Sequence, residues 1–77
     1  MTMKYRFPII IEKDKEGYFA NCPAIQGCYT QGDTYDEALA NIHDAIELNL
    51  EDMIAQKEEI REPQEVTFSS VEVSVER

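Results

Sequence analysis

Seventy-seven residues suffice for one small domain with a modest core, and 16 acidic against 7 basic side chains leave a net charge of −9. That balance speaks against sequence-independent nucleic-acid binding, which rests on Lys and Arg neutralising phosphates, and suits a basic protein partner. Cys22 and Cys28 are too few for a disulfide framework and lack the companions of a zinc signature, so reduced thiols in the cytosol are expected; neither a leader-like start nor a long apolar run points to secretion or a membrane span.

Lys4 to Lys13 predicts a first strand, because Tyr5, Phe7, Ile9 and Ile11 alternate with Lys4, Arg6, Pro8 and Glu12. Ile10 lies on the second face and implies partial cover there too. Pro8 cannot donate to a ladder, so pairing beside it must be gapped or irregular. The polar run Asp14, Lys15, Glu16, Gly17 predicts a hairpin. Tyr18 to Cys22 is the second strand, with Tyr18, Ala20 and Cys22 on one face and Phe19 and Asn21 on the other; Pro23 stops it. A short connection from Ala24 to Gly27 leads into a third strand, Cys28 to Gln31, ended by Gly32.

The helix start can be read to the residue. Thr34 and Glu37 have the spacing of a capping box, preceded by the turn residues Gly32 and Asp33. Asp36 and Glu37 add negative charge to the first turn, where the helix dipole favours it. Tyr35, Leu39, Ile42, Ile46, Leu50, Met53 and Ile54 recur at helical spacing on one side, and Ala38 and Ala45 beside them allow close approach to a sheet. The helix is expected over Tyr35 to Gln56, about 30 Å long at about 1.5 Å per residue. Its opposite side carries Glu37, Asp44, Glu47, Glu51 and Asp52.

Lys57 to Gln64 reads as a charged loop containing Pro63. Val66 and Phe68 then alternate, as do Val71, Val73 and Val75, but the two sets are out of phase across Ser69-Ser70, which predicts a β-bulge or bend there. The expected fold is α+β in the order β-β-β-α-β. A three-stranded antiparallel meander is followed by one long helix on one face and a C-terminal strand. The right-handed crossover rule gives a strand order 3-2-1-4. Residues 1–77 form a single domain in this reading, without internal repeats.

The stretch from Glu12 to Leu50 carries a more specific pattern: Asp14, Gly17-Tyr18-Phe19-Ala20, Pro23, Gly27-Cys28, Thr30-Gln31-Gly32, Thr34, Glu37-Ala38, Asn41-Ile42 and Ala45-Ile46. It resembles the N-terminal domain of the HicB antitoxin family, including its short stand-alone members. The resemblance covers about the first 50 residues, and the rest agrees in element order. It implies a partial ribonuclease-H-like fold and a partner, a small basic mRNA-cleaving toxin of the HicA type with a catalytic histidine. Where the family often has Asp after the proline, this chain has Ala24. The sequence reaches Arg77 without the C-terminal DNA-binding domain of longer members, so toxin binding is the activity expected rather than operator binding.

Three function classes are weighed against the residues. A ribonuclease-H-type site needs carboxylates converging on two divalent metals. Here the first strand has no central Asp, Glu12 and Asp14 come only at its end, and Glu72 is the lone acid inside the last strand. No catalytic residue, metal site or cofactor is therefore expected. His43 can pair with Glu47 one turn on and reads as a surface-helix histidine rather than a general base. The acidic stripe is more informative: Asp44, Glu47 and Glu51 could meet a basic toxin surface, and Leu48, among polar neighbours, could anchor the contact. Val71, Val73 and Val75 are the expected dimer interface, since a small core and a bare valine-rich edge favour a homodimer. The first reading is thus a cytoplasmic HicB-like antitoxin; the alternative is an orphan HicB-like dimeric binding module with a non-toxin target.

Overall fold

The computed structural model describes residues 2–63, 67 and 69–76. Three strands, β1 (Ile10–Asp14), β2 (Gly17–Asn21) and β3 (Tyr29–Gly32), form an antiparallel sheet in the order β1-β2-β3, and one helix, α1 (Tyr35–Ala55), packs on it. The class is α+β, as the hydrophobic periods imply.

Register follows from two short turns. β1 pairs with β2 from Asp14↔Gly17 to Ile10↔Asn21, and β2 pairs with β3 from Tyr18↔Gly32 to Asn21↔Tyr29. The Asp14 carboxylate accepts the Glu16 amide at 2.8 Å, and Gly17 takes a φ of 137°, a region side-chain-bearing residues rarely enter. Ile11, Ala20 and Thr30 consequently line up on the helix side. Glu12, Phe19 and Gln31 line up on the other.

The first strand is shorter than its alternation predicts. Continuing the observed register by two steps would set Ile9 against Cys22 and Pro8 against Pro23. Neither proline can donate, so the ladder ends at Ile10 and residues 4–9 stay outside it. Their alternation survives the loss of pairing: Phe7 and Ile9 still pack against the core. The chain from Cys22 to Cys28 closes on itself instead, with the Cys22 amide donating to the Cys28 carbonyl at 3.0 Å.

α1 begins where the sequence places it. Thr34 is extended, and its hydroxyl accepts the Glu37 amide at 3.1 Å. Just before it, Gly32 runs close under the first turn; a Cβ there would lie 2.5 Å from the Ala38 nitrogen. The Asn41 side-chain amide then donates to the Gln31 carbonyl at 2.7 Å and pins the helix to β3. The other end has a device the sequence does not advertise. The Lys57 amide donates to the Ile54 carbonyl and the Glu58 amide to the Met53 carbonyl, at 3.0 and 2.8 Å. This is a Schellman closure in which Lys57, at φ 61°, occupies the left-handed position usually held by glycine.

The fully buried core is Ala20, Cys22, Cys28, Ala38 and Ile42. It lies beneath the first half of α1. Tyr35, Leu39 and Ile54, expected on the covered side, are exposed. For Ile54 the cause is length, since strands of five residues span about 17 Å whereas 21 helical residues span about 31 Å. Tyr35 stays over the sheet, its ring edge-on to Tyr18 at 6.3 Å between centroids.

The fourth strand and the order 3-2-1-4 are not found among the described residues. Residues 67 and 69–76 join no ladder, and Val71, Val73 and Val75 are 82%, 73% and 74% exposed. Val66 and Phe68, which set the phase shift expected at the two serines, lie outside the described residues.

Two substitutions test the helix ends. Thr34→Ala removes the N-cap acceptor and is expected to destabilise the domain by about 1 kcal/mol in chemical denaturation. Lys57→Gly relieves the left-handed residue and is expected to stabilise it by about 0.5–1 kcal/mol, seen as a raised midpoint at unchanged slope.

Candidate protein-binding face

The helix sorts its side chains by angle. Ala38 and Ile42 point into the sheet, Asn41 bonds its β3 edge, and the sector facing away from the sheet holds Glu37, Asp44, Leu48 and Glu51, all exposed. Leu48 is 66% exposed, an apolar side chain between acidic ones on a rigid element. Asp44, Glu47 and Glu51 follow at intervals of three and four residues, the spacing that makes helical side chains neighbours. No basic residue occupies the last turn to neutralise them.

His43 does not pair with Glu47. Its Nδ1 lies 3.2 Å from the Asp44 carboxylate, both side chains well exposed, while Glu47 and Glu51 stand on the rim of a neighbouring groove. No nucleophile touches the imidazole among the described contacts.

That groove is the feature sequence reasoning missed. It has a volume of about 580 Å³ and lies between residues 3–9 and the side of α1 that runs from Leu39 to Ile54. Tyr5, Phe7 and Ile9 form one wall; Ile46, Leu50 and Ile54 form the other. Its two walls are some 40 positions apart in the chain, so no local period announces it. The face of the sheet away from the helix adds a second apolar feature, Phe19 stacked on Tyr29 with ring centroids 5.8 Å apart. The only forewarning of it was the presence of Phe19 and Ile10 on the face away from the helix.

The residues considered for metal chemistry do not come together. Asp14 is engaged in its turn, Glu12 is exposed on β1, and Glu72 belongs to the segment outside the sheet. Among the described residues no three His, Cys, Asp or Glu side chains converge as ligands. The buried Cys28 thiol is pushed up from its usual pKa, first by desolvation and then by the neighbouring Cys22, which favours the protonated and unreactive form. No helix of the described residues is long and apolar enough to cross a membrane.

Comparison with known proteins agrees with the motifs. A family described as the HicB_like antitoxin of bacterial toxin-antitoxin systems matches residues 7–74. A UPF0150 protein of Synechocystis is 44% identical over 57 residues, covering 73% of this chain and 72% of the relative. A UPF0150 protein of Helicobacter pylori is 43% identical over 67 residues, covering 78% of this chain and 93% of the relative. One from Thermoplasma acidophilum is 45% identical over 56 residues, covering 71% and 81%. No solved structure matches the chain.

The dispersed carboxylates generate a prediction about catalysis. Incubation of the protein with RNA or DNA and magnesium or manganese is expected to leave the nucleic acid intact on a denaturing gel. Turnover that disappears in Glu72→Gln would instead make this segment part of a metal site.

Proposed function

The chain belongs to the HicB-like antitoxin family, and on that premise we propose that it neutralises a small basic mRNA-cleaving toxin of the HicA type by direct binding in the cytoplasm. The observation that carries this reading is the outer sector of α1: Asp44, Glu47 and Glu51 around the 66% exposed Leu48, on a helix fixed at both ends. A toxin that binds mRNA must present cations to phosphates, and a row of carboxylates competes for the same surface. Charge steers the encounter and sets register, while Leu48 supplies a desolvated anchor that slows release. The domain itself performs no chemistry in this reading. Its architecture is a partial ribonuclease-H-like fold in which the Val71–Val75 segment supplies the fourth strand, in a homodimer.

The test is a binding measurement against the cognate toxin. Reversing Asp44 and Glu47 to Lys is expected to weaken affinity by at least about 100-fold, mainly through the association rate, with the helix signal in circular dichroism unchanged. Leu48→Ala is expected to raise the dissociation rate with little salt dependence. Binding by the double reversal equal to the parent at low salt would move the toxin contact to another surface.

A further inference from the structure

Two features of the chain are each half of a contact. The groove between residues 3–9 and α1 is walled by Tyr5, Phe7 and Ile9 on one side and Ile46, Leu50 and Ile54 on the other. Arg6, His43, Glu47 and Glu51 are also in its lining, and no described segment of the chain fills it. Residues 71–76 carry the complementary feature, valines at alternate positions, mostly exposed and outside any ladder. The chain after α1 first returns to its own body. The Arg6 amide donates to the Glu62 carboxylate, and Pro63, Thr67 and Ser69 border Pro8 and Ile10. Past Ser69 it departs, and the three valines touch none of the groove's walls.

The dimensions show how much surface this leaves uncovered. The radius of gyration is 15.3 Å and the longest extent 55 Å, whereas a compact chain of this length has a radius of about 11.5 Å. The accessible area is 7024 Å², against about 4,800 Å² for a compact monomer of this mass, a surplus of roughly 2,200 Å². A stable interface removes about 800 Å² from each partner, so the surplus is ample for one.

We infer that residues 71–76 of one copy lie in the groove of a second copy, and reciprocally, so that each copy covers the other's helix. The occupant is a second copy because charge and pattern match. Lys4 and Arg6 alternate with Tyr5 and Phe7, and Glu72 and Glu76 alternate with Val73 and Val75. The groove is lined by Arg6 but also by Glu47 and Glu51. Turning the valines into it puts Glu72 and Glu76 on the outer side with Lys4, away from the helix carboxylates, and opposite charges on adjacent strands attract. Pairing two 71–76 segments with each other about Ser74 would instead set Glu72 against Glu76, like charges directly opposed. Exchange also hides an alternating apolar edge that would otherwise recruit strands indiscriminately.

The inference rests on the homodimer reading above and deepens it by naming what each copy contributes. It is tested without a toxin: a dimer lacking the contact below would overturn the exchange alone. Sedimentation of the full chain at micromolar concentration is expected to give a dimer. Val71→Asp with Val73→Asp, which puts two charges into the groove, is expected to weaken the dimer by at least about 100-fold. In a mixture of isotope-labelled and unlabelled parent chains, filtered nuclear Overhauser spectra are expected to join Val73 methyls of one copy to the Phe7 ring of the other. That measurement decides even if the double variant fails to fold. A monomeric parent, a Val73–Phe7 contact confined to one copy, or a dimer whose valines meet only each other would each overturn the exchange.

Discussion

Two prolines set the limit on which the rest of the molecule depends. Pro8 and Pro23 would face each other two steps beyond the last pair of β1 and β2, and neither brings an N–H to the ladder. The sheet therefore stops at about 17 Å, and a helix of about 31 Å runs past it. The incomplete cover of the second half of α1 follows from that overhang. Among the described residues the buried core contains a single large aliphatic side chain, Ile42, under the first half of α1. The second half keeps Ile46, Leu50 and Ile54 for a surface that residues 3–9 cover on one side only. A core of this size stabilises little on its own, because apolar area removed from water is what offsets the entropy of ordering the chain.

Sequence patterns report side-chain direction more faithfully than hydrogen bonding, and the outcome divides along that line. Thr34 was legible as the helix start because capping is local chemistry: one hydroxyl, one amide, three residues apart. The hairpin was legible for the same reason, through Asp14 and Gly17. The first strand overran because Tyr5, Phe7 and Ile9 alternate whether or not a neighbour pairs with them. Pro8 announced irregular pairing, yet the second proline was needed to end the ladder, and only the register reveals that they oppose each other. The helix end fell within a residue of its expected place, but its closure through a left-handed Lys57 had no signal, since glycine is the residue that normally marks it.

The same distinction applies to the candidate site. Asp44, Glu47, Leu48 and Glu51 share one surface through helical angle alone, so spacing sufficed to place them. The groove required knowing that residues 3–9 return against α1, a contact between distant parts of the chain. The C-terminal valines were recognisable as strand-forming, yet a period of two says nothing about what the strand pairs with. A segment with strand character and no ladder beside it has its pairing partner specified elsewhere than in its own sequence.

On the proposed reading one helix serves two different surfaces. Its acidic sector is rigid, solvated and dominated by charge, suited to a partner that arrives by electrostatic attraction and leaves again. Its groove sector is apolar and incomplete, suited to a contact that persists, because uncovering it would return Leu50 and Ile54 to water. Glu47 and Glu51 stand where the two sectors meet. A strand seated in the groove would lie beside these carboxylates and restrict their rotamers, so that less conformational entropy remains to be lost when a basic surface binds them. Covering the groove would in this way prepare the charged face without touching its outermost residues, and the order of events would be assembly first and capture of the partner second.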